Sequence, residues 1–194
     1  MKIIFLDHDG VICYPPKWGT RYKKQNQFVE LNPYFKNKRA LDMPPEIRFD
    51  DFNPEAVDIL NEILKESDAE IIVSSDWNRQ ATLAELQDLY HTRGIIKKPV
   101  GITRKYDYED FKKRGYDVMQ PKMDRNYSQD LKRVLEIRAF MQEVPGISKW
   151  VAVDDMLLGS YWWDEDGLEN FVHTTYTLGL TQKGVKEEIL SYLE

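Results

Sequence analysis

Cysteine is almost missing from this sequence: Cys13 is the only one, so no disulfide can form within the chain. A chain without disulfides suits a reducing compartment. The sequence also lacks any apolar run near the roughly 18 residues that a membrane-spanning helix needs. No charged leader with a cleavage site precedes the first apolar residues. We therefore expect a cytoplasmic protein without a membrane partner.

Histidine is scarce as well. His8, His91 and His173 are the only three, and they show none of the spacings typical of zinc ligands, so we predict no zinc site.

The hydrophobic content of 42% and the charged content of 31% are typical of a globular protein. A length of 194 residues suits one domain that spans residues 1–194.

The net charge of −6 is unevenly distributed along the chain. Residues 11–48 contain eight basic and three acidic side chains, and residues 91–133 contain twelve basic and six acidic ones. Two basic segments on an acidic remainder favour an anionic substrate, because clustered charges of one sign steer ligands of the opposite sign. The alternative is that both segments are solvated loop surfaces.

Short apolar runs alternate with helical patterns. Four runs predict buried strands: Ile3–Leu6, Ile71–Val73, Trp150–Val153 and Phe171–Val172. Apolar residues at helical spacing begin at four places: Pro54 (with Asn53 as N-cap), Leu83, Ser128 and Thr181. This alternation predicts an α/β fold with a central parallel sheet and helices on both faces. Two segments, at about residues 12–51 and 92–127, interrupt the alternation and are predicted inserts near the C-terminal edge of the sheet.

The first predicted strand ends in two aspartates, Asp7 and Asp9, with Gly10 directly after them. Ligands of open α/β sheets bind at the carboxyl ends of the strands, so both carboxylates lie where a substrate is expected. Two neighbouring acids can divide the work of catalysis. One can act as the nucleophile and the other as the general acid and base.

Hydroxyl side chains follow the second predicted strand. Ser74 and Ser75 come directly after the apolar run, and Asp76 follows them. Hydroxyl and free backbone N–H groups at such a position can donate hydrogen bonds to a phosphate oxygen. The alternative is that Ser75 or Asp76 only caps the next helix.

The third predicted strand along the chain, Trp150–Val153, ends in Asp154 and Asp155. Two adjacent ionised carboxylates repel each other unless a cation or hydrogen-bond donors neutralise their charge. Carboxylate oxygens are hard ligands, which suit Mg²⁺. The alternative is a pair of aspartates that caps a loop. Lys132 and Arg133 lie in the first turns of the preceding helix, and one of them could reach a phosphate.

Taken in order, these strand ends resemble the haloacid dehalogenase (HAD) superfamily of phosphotransferases. The motifs that carry the resemblance are Asp7-His8-Asp9-Gly10-Val11, Ile72-Val73-Ser74, Lys132/Arg133 and Val153-Asp154-Asp155. The resemblance extends from one end of the chain to the other. It implies a Rossmann-like three-layer sandwich in which the two inserts form a loop or cap over the site.

The resemblance also implies roles for the acidic residues. Asp7 would attack phosphorus and form an aspartyl-phosphate, and Asp9 would protonate the leaving group and then activate water. Mg²⁺ would be bound by the Asp7 carboxylate, the backbone carbonyl of Asp9, and either Asp154 or Asp155. These roles agree with the physics of phosphoryl transfer, which depends on positioning and on charge neutralisation.

Phosphate-binding residues follow from the same resemblance. Ser74 would hold a phosphoryl oxygen, with Arg133 or Lys132 beside it. Ser75 and Arg79 are further candidates for a phosphate contact.

A closer resemblance concerns HAD domains associated with RNA repair, akin to the phosphatase half of polynucleotide kinase-phosphatases. The residues that carry it are Ser74-Ser75-Asp76-Trp77-Asn78-Arg79, the Arg133…Glu136-Ile137 spacing, Trp150 before the aspartate pair, and Gly179-Leu180-Thr181. It implies a 3′-phosphate or 2′,3′-cyclic phosphate end of RNA or DNA as the substrate. Asn78 separates Trp77 from Arg79, which is one residue more than the family pattern has. Because the chain contains no kinase or ligase half, it would act alone or with a repair-protein partner.

Two other functions are compatible with the sequence. A phosphatase for small metabolites, such as nucleotides or sugar phosphates, would use the inserts as a cap. A non-catalytic phosphate-binding module could have the same fold, but it would be expected to have lost one of the acidic or basic motif residues, and none is lost here. Aromatic residues among the basic ones could stack on bases or simply pack the inserts.

Overall fold

The computed structural model describes residues 1–13, 20–113, 125–160 and 167–194. Five strands form one parallel sheet in the order β3-β2-β1-β4-β5. The strands are β1 (Lys2–Leu6), β2 (Glu70–Val73), β3 (Gly101–Ile102), β4 (Lys149–Asp154) and β5 (Phe171–His173). Because Leu6 pairs with both Val73 and Val153, the three central strands end at the same level of the sheet.

Helices cover both faces of this sheet. Seven α-helices lie in the described ranges: α1 (Thr20–Leu31), α2 (Pro45–Arg48), α3 (Pro54–Ser67), α4 (Leu83–Thr92), α5 (Tyr108–Lys113), α6 (Arg125–Glu143) and α7 (Val185–Leu193). One core cluster joins one face of the sheet to helices including α3 and α7, and a second joins the other face to α6. The predicted α/β sandwich with three layers and a parallel sheet is therefore confirmed.

The sequence pattern explains why α3 forms where it does. The Asn53 side chain accepts a hydrogen bond from the backbone N–H of Glu55 at 3.1 Å, and Pro54 occupies the first helical position. Both features stabilise a helix start. The buried residues of α3 recur at helical spacing and face the sheet. The helix ends at Asp68, which adopts a left-handed conformation with φ of 54°.

Several elements differ from the predicted ones. Strand β3 was not predicted, because it has two residues, one of them Gly101, and it lies at the edge of the sheet inside the segment 92–127. Helix α6 begins at Arg125 rather than at Ser128. Helix α7 begins at Val185 rather than at Thr181, because a 3₁₀ turn and Gly184, with φ of 90°, precede it.

The segment 12–51 contains α1 and α2 with short 3₁₀ turns between them. Its residues 20–51 lie within the described part of the chain. Parts of both segments, namely residues 14–19 and 114–124, lie outside the described ranges. Within those ranges, no helix combines the length and the apolar composition needed to cross a lipid bilayer.

Candidate active site

The ends of β1, β2 and β4 bring the predicted motifs together at one edge of the sheet. Backbone hydrogen bonds continue beyond the strands, from the N–H of Asp7 to the carbonyl of Val153 at 3.1 Å and from the N–H of Ser74 to the carbonyl of Leu6 at 2.9 Å. These bonds fix the three chain segments side by side. Residues about 65 to 150 positions apart in sequence thereby share one site.

Asp7 lies at the centre of this site and is 5% exposed. Arg133 Nη1 donates to Asp7 Oδ1 at 3.1 Å, and the Ser75 side chain also hydrogen-bonds Asp7. Burial, reinforced by the neighbouring charge of Asp154, raises the pKa of Asp7 to about 7, although Arg133 and Ser75 act in the opposite direction. Arg133 and Ser75 thus fix the position of the Asp7 carboxylate. Their stabilisation of the ionised form is smaller than the opposing effects of burial and of the charge on Asp154.

Arg133 is the cation that enters the site. Besides Asp7, its Nη1 donates to Asp154 Oδ2 at 2.7 Å and to the backbone carbonyl of Ser74. Its side chain is 5% exposed, and the carboxylates of Asp154 and Asp7 raise the pKa of Arg133 despite its burial. Lys132, the other candidate on α6, is half-buried and lines a neighbouring cavity instead. The structure therefore distinguishes two residues that the sequence left equivalent.

Asp9 has different surroundings from Asp7. Trp77 Nε1 donates to Asp9 Oδ2 at 3.0 Å, and Arg21 Nη2 lies 3.2 Å from Asp9 Oδ1. The same Arg21 nitrogen bonds Asp50 Oδ2 at 2.5 Å. Burial raises the pKa of Asp9, while Arg21 and Trp77 lower it. The side chain of Asp9 is 36% exposed, so it is more accessible to a substrate than that of Asp7.

An aromatic stack supports the Trp77 indole. His8 and Phe49 stack on its two faces, with ring centroids 4.1 and 4.2 Å away. His8 is fully buried, and its Nε2 is 2.9 Å from the Tyr90 hydroxyl. Burial lowers the pKa of His8 to about 3, so the ring is neutral and acts in packing. The stack fixes the orientation of the indole N–H that meets Asp9.

Three carboxylates could hold a metal ion. Asp7, Asp154 and Asp155 each offer an oxygen, and these oxygens lie within 4.8 Å of one another. Burial and the charge of Asp7 raise the pKa of Asp155 to about 7, and burial raises that of Asp154 to about 6. A cluster of three carboxylates, two of them buried, that is short of positive charge fits a hard divalent cation. Gly10 completes the fit, because a Cβ at this position would come within 2.5 Å of Asp155 Oδ2.

The two adjacent aspartates have different partners. Asp154 Oδ2 accepts from Arg133 at 2.7 Å, and Asp154 Oδ1 accepts from the backbone N–H of Met156 at 2.9 Å. Both oxygens of Asp154 are therefore engaged by the protein. Asp155 is only half-buried and has no ion pair with the described residues, so it is the more available metal ligand of the two.

The remaining predicted residues lie at different distances from the nucleophile. Ser75 bonds Asp7, whereas the Ser74 hydroxyl is buried and finds no partner among the described residues. Arg79 does not join the central cluster. Its side chain is 56% exposed, and its Nε is 3.8 Å from Asp76 Oδ1.

Sequence reasoning missed several residues of the site. Arg21 reaches Asp9 from α1, and Asp50 holds Arg21 in place from the end of the same segment. Lys105, from the loop after β3, contacts Glu136 Oε2 at 2.8 Å and Asp76 Oδ1 at 3.4 Å. The only signal for Arg21 and Lys105 was their membership of the two basic segments.

Comparison with known proteins identifies the family. The family described as the HAD domain in Swiss Army Knife RNA repair proteins matches residues 3–185. The chain belongs to this family, which confirms the resemblance to HAD domains of RNA repair and supports a phosphatase or related hydrolase activity. No curated protein matches the chain. No solved structure matches it either.

Proposed function

We propose that this HAD-domain protein is a Mg²⁺-dependent phosphate monoester hydrolase that removes 3′-phosphates from RNA ends through an aspartyl-phosphate on Asp7. The observation that carries the proposal is the difference between Asp7 and Asp9. One carboxylate is buried against a cation, and the other is half-exposed between an indole N–H and an arginine. Two acids in such different surroundings suit two different chemical roles.

Asp7 is the nucleophile in this proposal. Arg133 and Ser75 hold its carboxylate, so the attacking oxygen meets the phosphorus without a loss of side-chain freedom. Attack forms the bond from the carboxylate oxygen to phosphorus and breaks the bond from phosphorus to the ester oxygen. Arg133 also neutralises part of the charge on the phosphoryl oxygens, which suits a reaction controlled by electrostatics.

Asp9 is the general acid and base. Burial raises its pKa, which favours the protonated form that the departing alkoxide needs. The Trp77 N–H and the Arg21 guanidinium hold the carboxyl in one orientation. In the second half of the reaction, Asp9 takes a proton from the water that attacks the aspartyl-phosphate, which restores both acids.

Asp7, Asp155 and the backbone carbonyl of Asp9 would hold the metal ion, while Asp154 positions Arg133. Mg²⁺ bound there would supply positive charge to the phosphoryl group. The chain contributes a cluster of carboxylates and a glycine, Gly10, that leaves space for Asp155.

A nucleic-acid substrate is supported by the family and by the surface of α1 and the turn after it. Tyr22 and Tyr34 are 68% and 73% exposed, so most of each side chain is accessible to a ligand. Lys38 Nζ lies 4.9 Å from the centre of the Tyr34 ring, and Lys23 is exposed beside Tyr22. Exposed aromatic rings next to cations are suited to stack on bases and hold a phosphate backbone. Because Arg21 contacts Asp9, this surface begins at the site itself.

The test is phosphate release from a 3′-phosphorylated RNA oligonucleotide with and without Mg²⁺. A matched 3′-mononucleotide and an aryl phosphate serve as small substrates, and Asp7→Asn serves as the blank. We expect Mg²⁺-dependent release that is fastest with the oligonucleotide. Faster turnover of the small esters would indicate a metabolite phosphatase, and release by the asparagine variant would exclude Asp7 as the nucleophile.

A further inference from the structure

A cavity of about 170 Å³ lies beside Arg133. Its charged lining comes from the segment after β2, the loop after β3, and α6: Asp76, Arg79, Lys105, Lys132, Arg133 and Glu136. The Arg133 guanidinium faces both the cavity and the nucleophile, because its Nη1 bonds Asp7 while its Nη2 is 3.7 Å from Asp76 Oδ1. A group bound in this cavity would therefore be a close neighbour of the reacting phosphate.

Three cations converge on one carboxylate in this cavity. Asp76 Oδ1 is 3.4 Å from Lys105 Nζ, 3.7 Å from Arg133 Nη2 and 3.8 Å from Arg79 Nε. These distances exceed the roughly 2.7–2.9 Å of a strong charge-assisted hydrogen bond. The Asp76 side chain is also 67% exposed. Lys105 is also held by Glu136 and the Nη1 of Arg133 by Asp7 and Asp154, so Arg79 and the Nη2 of Arg133 are the groups with capacity for a second anion.

Lys132 adds a fourth positive charge to the lining. It forms no ion pair with the residues of the described ranges, whereas Lys105 is bound to the buried Glu136 at 2.8 Å. The lining therefore has four cations against two acids. An excess of positive charge in a concave site favours an anionic ligand.

We propose that this cavity binds a second phosphate of the substrate, the one on the 5′ oxygen of the nucleoside whose 3′-phosphate is removed. The proposal rests on the proposed function. In an oligonucleotide this group is the last phosphodiester of the strand, and in a nucleoside 3′,5′-bisphosphate it is a monoester. The cavity thereby selects substrates with phosphate on both sides of the terminal ribose.

The size of the cavity agrees with one phosphate group. Pockets that enclose a whole small ligand usually have at least about 300 Å³, and this cavity has about 170 Å³. A phosphate fits within that volume, while a complete nucleotide does not. The base of the terminal nucleoside would then lie outside the cavity. The site would therefore distinguish substrates by the distance between their 3′ and 5′ phosphates and not by the identity of the base.

The experiment compares adenosine 3′,5′-bisphosphate with adenosine 3′-monophosphate on the full chain with Mg²⁺. The kcat/KM for loss of the 3′-phosphate is measured for each, and the product is identified. The wild-type protein should prefer the bisphosphate by at least about tenfold, which is the typical effect of one hydrogen bond to a charged group. Lys132→Gln should reduce this preference through KM, and Lys132→Arg should retain it. Lys149→Gln, at the exposed start of β4 and at the opposite end of the strands, is the matched control.

The possible outcomes separate the two proposals. Equal kcat/KM values for the two nucleotides would overturn the cavity proposal and leave the proposed function intact. An undiminished preference in the Lys132→Gln/Arg79→Gln double variant would place the second phosphate elsewhere and overturn it as well. Absence of phosphate release from every 3′-phosphorylated substrate would overturn both. A preference that falls in Lys132→Gln but not in Lys149→Gln would support the cavity as the binding site.

Discussion

Replacement of Asp7 by asparagine tests the electrostatics of the site apart from its chemistry. Burial and Asp154 raise the pKa of Asp7 from 3.8 to about 7. Such a rise disfavours the ionised carboxylate in the folded protein by on the order of 4 kcal/mol. Below about pH 4, Asp7 is protonated in both the folded and the unfolded protein. Between about pH 4 and about pH 7, Asp7 stays protonated in the folded protein but is ionised in the unfolded chain. The stability of the metal-free protein should therefore fall as the pH rises through this interval.

Asparagine cannot ionise, so the Asp7→Asn variant should lose the share of this pH dependence that Asp7 contributes, while Asp154 and Asp155, whose pKa values are also raised, keep theirs. At pH 8 the metal-free variant should be more stable than the wild type, by up to about 4 kcal/mol. The gain should be smaller than this limit because the substituted amide would give Arg133 a weaker partner than the carboxylate does, although Arg133 keeps its 2.7 Å contact with Asp154. Urea unfolding of both proteins in EDTA, at pH 5 and pH 8, measures the difference.

Two results would refute this reasoning. If the metal-free variant is no more stable than the wild type at pH 8, ionised Asp7 does not lower the free energy of unfolding. A pH dependence that persists unchanged in the variant would assign it to other groups. Added Mg²⁺ should stabilise the wild type at pH 8 more than the variant, since a ligand stabilises the state that binds it better.

Three other variants test single contacts. Asp9→Asn should slow phosphate release by about 10²–10⁴-fold, the usual contribution of a general acid, and a loss of less than about tenfold would assign the proton transfer to another group. Gly10→Ala should lower the stability by at least about 1 kcal/mol, because the φ of Gly10 is +75°. It should also weaken Mg²⁺ binding, because the added Cβ would meet Asp155. Unchanged thermal unfolding and an unchanged Mg²⁺ titration would contradict this prediction. In steady-state kinetics, Arg21→Ala should lower kcat more than it raises KM, since Arg21 orients Asp9. Arg21→Lys should recover part of the loss in kcat. An effect on KM alone would instead make Arg21 a substrate-binding residue.

The positions of the central motifs were predictable because they depend on local patterns. Short apolar runs ending in polar residues predicted β1, β2 and β4, and parallel strands end at one edge of a sheet. Asp7, Asp9 and Asp155 could therefore be assigned to that edge from the sequence alone.

The sequence by itself thus determined the α/β class, the strand ends and the acids placed there. Only the tertiary structure decided which neighbouring residue enters the site, as with Arg133 over Lys132. It also brought Arg21 from α1 to Asp9 and Lys105 from the loop after β3 to Asp76. The physical reason is that periodicity is a property of a few consecutive residues. A contact between charges on separate segments depends instead on how those segments pack.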